Sequence, residues 1–216
     1  MMETDEQIYQ KDQADYLPVF ARYKIVLDHG DGVYVYDTHG KKYLDYLGGI
    51  AVNVLGHAYP ALVKAVAEQA GKMIHCSNLY YTQTQADAAA KLVKLSGLGK
   101  VFFGNSGAEA NEGAIKLARK WGQLHRGGAH RIITASRSCH GRSFGAMSAS
   151  GGATLDNRFE PQLPGFINVP FNDLPALHAA VDAQTVAIML EPVQSEAGVI
   201  PATEHYLKGV ERLCRE

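Results

Sequence analysis

Cysteine is scarce and odd in number. Cys76, Cys139 and Cys214 are the only three in 216 residues, and they stand far apart. That excludes a disulfide framework and matches no metal-ligand spacing, so no metal site and a reducing, cytoplasmic setting are expected. Net charge is nearly absent as well. It is formally −1, with a sequence pI near 6.8, which excludes a general attraction to nucleic acid or to an anionic membrane. No apolar run approaches the length of a membrane span. The acidic, polar start MMETDEQIYQKDQADY has neither the apolar core of a signal peptide nor the Arg-rich character of a transit peptide. Internal repeats and low-complexity segments are missing too.

What remains is globular composition, 46% hydrophobic and 20% charged, enough for one sizeable core and part of a second domain. One stretch organises the chain: VFFGNSGAEANEGAIKLARK, residues 101–120. Val101-Phe102-Phe103 reads as the end of a buried strand. Gly104-Asn105-Ser106-Gly107 is a small-residue loop. Ser106 with Glu109 has capping-box spacing, and Ala110, Ala114, Leu117/Ala118 and Trp121 recur on one helical face. Free N–H groups of Gly107, Ala108 and Glu109, beside the Ser106 hydroxyl, make this helix start an anion seat. The loop carries neither G-x-x-x-x-G-K-[ST] nor G-x-G-x-x-G, so it is neither a nucleotide P-loop nor the dinucleotide fingerprint. Spacing alone fits an ordinary capped turn equally well.

Along the rest of the chain, residues 1–24 read as an arm with a short helix before Pro18. Residues 33–46 form a hairpin or small meander around the turn Asp37–Gly40. Gly48 to His57 is a glycine-rich apolar connection. Helices follow from Pro60 to Ile74 and from the cap Thr84 to Leu95, the second stopped by Gly97 and Gly99. Arg131–Thr134 is a strand, followed by the polar loop 135–143 and a looser segment to Pro164. Ile167–Val169 is a further strand, Asp173 caps a helix, and Val186–Leu190 is an apolar run of the kind buried on both faces of a parallel sheet. Thr203 opens a last helix, and the pattern is still helical at Glu216, as in an incomplete chain. Alternating strands and helices imply an α/β layer fold with a mainly parallel sheet. The loops after Phe103, Thr134 and Leu190 then gather at strand carboxyl ends, where ligands collect in such sheets.

Three stretches, FFGNSGAEANEGAIKLARK, SCHGRSFGAMSASG and EPVQSEAGVIPA, together resemble the class III (ornithine-type) aminotransferases, which use pyridoxal 5′-phosphate (PLP). The front segment from Tyr16 to Pro60 is most similar to members of the acetylornithine type. The likeness covers nearly the whole chain. It implies a fold-type-I PLP-transferase, with residues 1–56 as an arm and meander of a small domain and residues 57–216 as a truncated PLP-binding large domain. It also implies a homodimer with active sites at the subunit interface. The amino group of N2-acetylornithine, or a similar ω-amino donor, would pass to 2-oxoglutarate in arginine biosynthesis.

On that resemblance Ser106, Gly107 and Ala108 hold the cofactor phosphate. Cys139 takes the place of an aromatic residue that stacks on the cofactor ring, and it offers a sulfur contact instead of a stack. Arg142 binds the substrate carboxylate as a planar fork. Glu196 is the gate glutamate and Glu191 a supporting carboxylate. Ser195 replaces the family's glycine and narrows the turn between them. His140 is assigned to packing. The family's cofactor-linking (Schiff-base) lysine, its ring-nitrogen aspartate and its second carboxylate-binding arginine fall beyond Glu216, so no catalytic residue is expected within these 216 and the isolated chain should not transaminate. Succinylornithine, succinyl-diaminopimelate, ornithine and 4-aminobutyrate enzymes share these motifs. A non-catalytic half-domain that binds phosphate or PLP weakly, or only associates with a complete subunit, is the alternative; an unrelated phosphate-binding α/β module is the third.

Overall fold

The structure, a computed structural model, describes residues 3–151 and 159–216. Its contacts divide the chain into two compact units, Met1–Gln83 and Thr84–Glu216.

The first unit opens with helix α1, Asp5–Asp15, closed by a full capping box between Thr4 and Gln7. Strands β1 (Leu27–Asp31), β2 (Tyr34–Asp37) and β3 (Lys42–Leu44) form an antiparallel meander. The β2–β3 turn is fixed by Asp37. Its carboxylate accepts bonds from the Tyr43 hydroxyl at 2.8 Å and from the His39 and Lys41 amides at 2.9 Å each. The Tyr43 bond is the main reason this carboxyl is held below its usual range. The glycine-rich stretch is more than a plain connection. A short turn, α2 (Gly48–Ala51), has four successive positive φ angles, from 53° at Gly48 to 60° at Ala51. Asp45 holds it in place by accepting from the Leu47 and Gly48 amides, and its other oxygen meets His57 Nε2 at 2.7 Å. Helix α3, Pro60–Lys72, starts on its proline as expected, but it buries none of its apolar stripe.

Helix α4 runs from Gln83 to Ser96, so Thr84 lies inside the first turn and is not its cap. Gly97, at φ 70°, ends it with an amide bond to Val93 O. Residues Val101–Phe103 form no strand, contrary to the expectation. Three apolar residues become a strand only with a ladder partner, and the described strands of this unit give them none. Helix α5, Gly107–His125, follows. Its buried positions are Ile115 and Gly122, with Ala118 packed alongside. Leu117 and Trp121, placed on the predicted apolar face, are exposed.

Strand β4 (Arg131–Ala135) is central and pairs in parallel with β5 (Phe166–Val169) and β6 (Thr185–Met189). Neighbouring residues of β4 point to opposite faces. Ile132 joins Ile115 and Ala149 under α5 and α6 (Phe144–Ala149), whereas Ile133 joins Val169, Leu177 and Tyr206 under α7 (Leu174–Ala180) and α8 (Glu204–Arg215). The result is a three-layer α/β/α unit, the α/β class expected. Asp173 and Thr203 cap α7 and α8 as the sequence implies, each accepting the amide three residues on. Strand β6 begins at Thr185 and is half-buried throughout, an edge of the described sheet and not a strand buried on both faces. The segment read as loose holds a helix, α6 (Phe144–Ala149), almost wholly buried; residues 152–158 of that segment lie outside the described ones. A two-stranded ribbon, β7 (Val193–Gln194) with β8 (Ile200–Pro201), carries the last motif.

Candidate functional site

The site is built where the start of α5 meets the loops after β4 and β6. Ser106 caps α5: its hydroxyl accepts from the Glu109 amide at 3.2 Å, and its carbonyl from the Ala110 amide at 3.0 Å. The Glu109 N–H is therefore occupied, and the seat is narrower than expected. Gly107 and Ala108 keep the amides that no intrahelical carbonyl can reach. The Glu109 carboxylate does not close a capping box. It reaches one residue further back, to the Asn105 amide at 2.5 Å. A Cβ placed on Gly107 would meet nothing within 4 Å, so the space over these two amides is clear. Two amides, a hydroxyl and cleared space suit a dianionic phosphate, with the helix dipole adding to the attraction.

The loop after β4 lies against this helix start. Gly141 has φ 131°, and a Cβ there would fall 2.8 Å from Ala108 Cβ. Only glycine allows that approach. Arg142, exposed, follows directly. On the other side the Cys139 amide donates to Glu191 Oε2 at 2.9 Å. The buried Gln194 side chain donates to Ser136 O at 3.0 Å, and the Arg137 guanidinium to Ala197 O at 2.7 Å. The structure thus ties Cys139 to Glu191, and it ties Arg142 to Ala108 through Gly141. Ser106 belongs to the helix start alone.

Electrostatics around Cys139 and Glu191 disfavour ionisation. Burial pushes the Cys139 thiol up, reinforced by the Glu196 carboxylate, which also hydrogen-bonds it. Burial likewise raises the Glu191 carboxyl, and neighbouring Glu196 adds to the shift. Burial lowers His140, whose Nε2 is enclosed without a hydrogen-bond partner, so its ring is neutral. The Ser195 carbonyl accepts from the Gly198 and Val199 amides at 3.1 Å each, a turn made by backbone groups alone. Sequence reasoning missed Asn111, Glu112, Arg137 and Gln194. Asn111 and Glu112 stand in the same GAEANEGA stretch as the cap, but nothing local in the sequence shows that their partners lie in the loop after β4. No group of three potential metal ligands occurs among the described residues, and none of their helices is long and apolar enough to cross a membrane.

The family model described as Aminotransferase class-III matches residues 18–216. The chain belongs to the class III aminotransferase family. Among curated class III relatives, the acetylornithine aminotransferase of Caldanaerobacter subterraneus is 51% identical over 201 residues, covering 93% of this chain and 51% of that protein. Acetylornithine aminotransferase 2 of Bordetella pertussis is 49% identical over 200 residues, 93% of this chain and 50% of the relative. Among solved class III structures, an ornithine aminotransferase from Toxoplasma gondii, described with partial occupancy of PLP at its active site, superposes with a TM-score of 0.91 at 30% identity. That match covers 98% of this chain and 51% of the other. The N-acetylornithine aminotransferase of Stenotrophomonas maltophilia is 39% identical with a TM-score of 0.77, over 95% and 50% of the two chains. The chain spans about half the length of these relatives.

Proposed function

We propose that this chain is the cofactor-phosphate and substrate-carboxylate half of an acetylornithine-type aminotransferase. The whole enzyme is then a cytoplasmic homodimer that passes the terminal amino group of N2-acetylornithine to 2-oxoglutarate in arginine biosynthesis, with residues 1–56 in its smaller domain and 57–216 in its larger one. The observation that carries this reading is the junction of the three motifs, with Gly141 set against Ala108 and the Cys139 amide on Glu191. The acetylornithine-type relative at 51% identity favours that donor over ornithine, whose enzyme from Toxoplasma stands at 30%.

The cofactor is PLP, and when bound it supplies the electron sink for the substrate carbon that loses its proton. The Gly107 and Ala108 amides and the Ser106 hydroxyl would hold its phosphate. Cys139 would offer the ring a neutral, polarizable thiol. Arg142 would grip a substrate carboxylate with two parallel N–H bonds, which fixes orientation as well as charge. Glu196 would meet a cationic partner, and Glu191 would hold the Cys139 amide in place. Moving the proton requires an amine base, which the family resemblance puts outside these residues. The 216-residue chain alone is therefore assigned to binding, not turnover.

The test is a fluorescence titration of the chain with PLP, with inorganic phosphate as competitor. The wild type should bind and phosphate should displace it. Gly107→Ala adds a methyl where the protein has nothing within 4 Å, so folding is unaffected while the phosphate is pushed off the amides. Its affinity should fall at least about tenfold, or 1.4 kcal/mol. Equal affinity in the variant would overturn the phosphate assignment.

A further inference from the structure

Arg142 sits in a five-residue stretch whose other four members are each fixed by a separate contact. The Cys139 amide is held by Glu191 at 2.9 Å. The His140 carbonyl accepts from Asn111 Nδ2 at 2.7 Å. Gly141 is pressed against Ala108. The Ser143 hydroxyl donates to Glu112 Oε1 at 2.6 Å. Glu112 does more than bind Ser143. The same oxygen accepts the Gly145 amide at 2.9 Å and the Ala146 amide at 3.1 Å. These are amides at the start of α6 that no intrahelical carbonyl reaches. The carboxylate is thus the cap of a helix more than thirty residues away, since Ser143 makes no side-chain capping bond of its own. Gly145 is required for the fit, because a Cβ there would lie 2.5 Å from Glu112 Oε2. The Ser143 bond, the two amides and Lys116 together hold the Glu112 carboxyl below its usual range against the opposing effect of burial, so it is ionised and accepts only.

Asn111 and Glu112 are consecutive residues of α5, about one and a half turns past Ser106, and they grip the stretch on the two sides of Arg142. From this geometry we infer that Asn111 and Glu112 are positioning residues that set Arg142 at a fixed distance from the phosphate seat on the same helix. This rests on the proposed roles of the seat and of Arg142. One rigid helix would then determine both where a cofactor phosphate sits and where a substrate carboxylate is held. Positioning of this kind matters because misplacement by about 1 Å is enough to lose a large part of the binding geometry.

The test uses the ¹⁵N-labelled 216-residue chain titrated separately with inorganic phosphate and with glutarate, a simple dicarboxylate. Phosphate should shift the Gly107 and Ala108 amide signals, and glutarate the Arg142 Nε signal. Glu112→Ala should weaken glutarate at least about tenfold while phosphate affinity changes less than about threefold, differences of 1.4 and 0.7 kcal/mol. Asn111→Ala should act in the same direction. Glu112→Gln keeps an acceptor oxygen and should recover part of the glutarate affinity. A merely structural role would weaken both ligands together with the thermal midpoint. Equal loss of both ligands, or glutarate affinity unchanged in Glu112→Ala, would overturn the positioning role alone. A wild-type chain whose Arg142 Nε ignores glutarate would overturn the carboxylate assignment as well.

Discussion

At the scale of single residues, the junction is a set of carboxylates tuned in opposite directions. Glu112 is lowered, chiefly by the Ser143 hydroxyl, and Glu191 is raised by burial. For Glu112 the linkage has a definite sign. A folded pKa below the unfolded one contributes stability that is complete above the ordinary carboxylate range and is lost as pH falls through the lowered folded value. Glu191 acts the other way: its contribution is complete below the ordinary range and is lost as pH rises through its raised value. Glu112→Gln should therefore flatten the acid limb of a stability-versus-pH profile measured by denaturant unfolding, with little change in its shape above pH 7. An acid limb as steep in the variant as in the wild type would show that Glu112 is not the group responsible. Neither shift is legible in the sequence. Glu112 reads there as one more charge on an amphipathic helix, and its partners lie 31 to 34 residues away.

At the scale of elements, caps were the most legible feature, because a cap is a local bond between residues three apart. Ser106, Asp173 and Thr203 each cap their helix, although the box at Ser106 stays open and Thr84 lies inside α4. Elements that depend on distant partners were not legible. Helix α6 draws its N-terminal bonds from Glu112 of another helix, and Val101–Phe103 has strand-like residues with no assigned pairing. The rotation of α5 was misjudged for a related reason. Its inner face is decided by how closely it approaches the sheet, and Gly122 sets that approach. A Cβ at Gly122 would fall 2.1 Å from Ala129 O and 2.4 Å from Val186 Cγ1. Gly209 of α8 offers a contrast, since the atoms nearest a Cβ there belong to the end of the flexible Leu174 side chain. Gly122→Ala should therefore lower the free energy of unfolding by at least about 2 kcal/mol, an overpacking effect against backbone that cannot yield. Gly209→Ala should lose clearly less, because Leu174 can change rotamer. Urea titrations at unchanged m-value check both, and equal losses would mean that α5 is free to shift.

At the scale of the whole molecule, much apolar surface stays open. Tyr46, Ile50 and Val54 of the first unit are 92%, 87% and 83% exposed, and Phe102 and Leu117 of the second are 72% and 73% exposed. Scattered apolar residues at a surface need no explanation, whereas a contiguous apolar patch is the kind of surface that partners cover. On the proposed function, these residues hold the cofactor phosphate and a substrate carboxylate, and the amine chemistry lies outside them. The most direct measurement joins residues 1–216 to the matching second half of the Caldanaerobacter subterraneus relative and follows glutamate formation from N2-acetylornithine and 2-oxoglutarate. We predict activity within about tenfold of that relative, a barrier difference of about 1.4 kcal/mol, abolished by Arg142→Ala, with none from residues 1–216 alone. A folded, PLP-loaded chimera that ignores N2-acetylornithine, or turnover by the 216-residue chain by itself, would contradict the assignment.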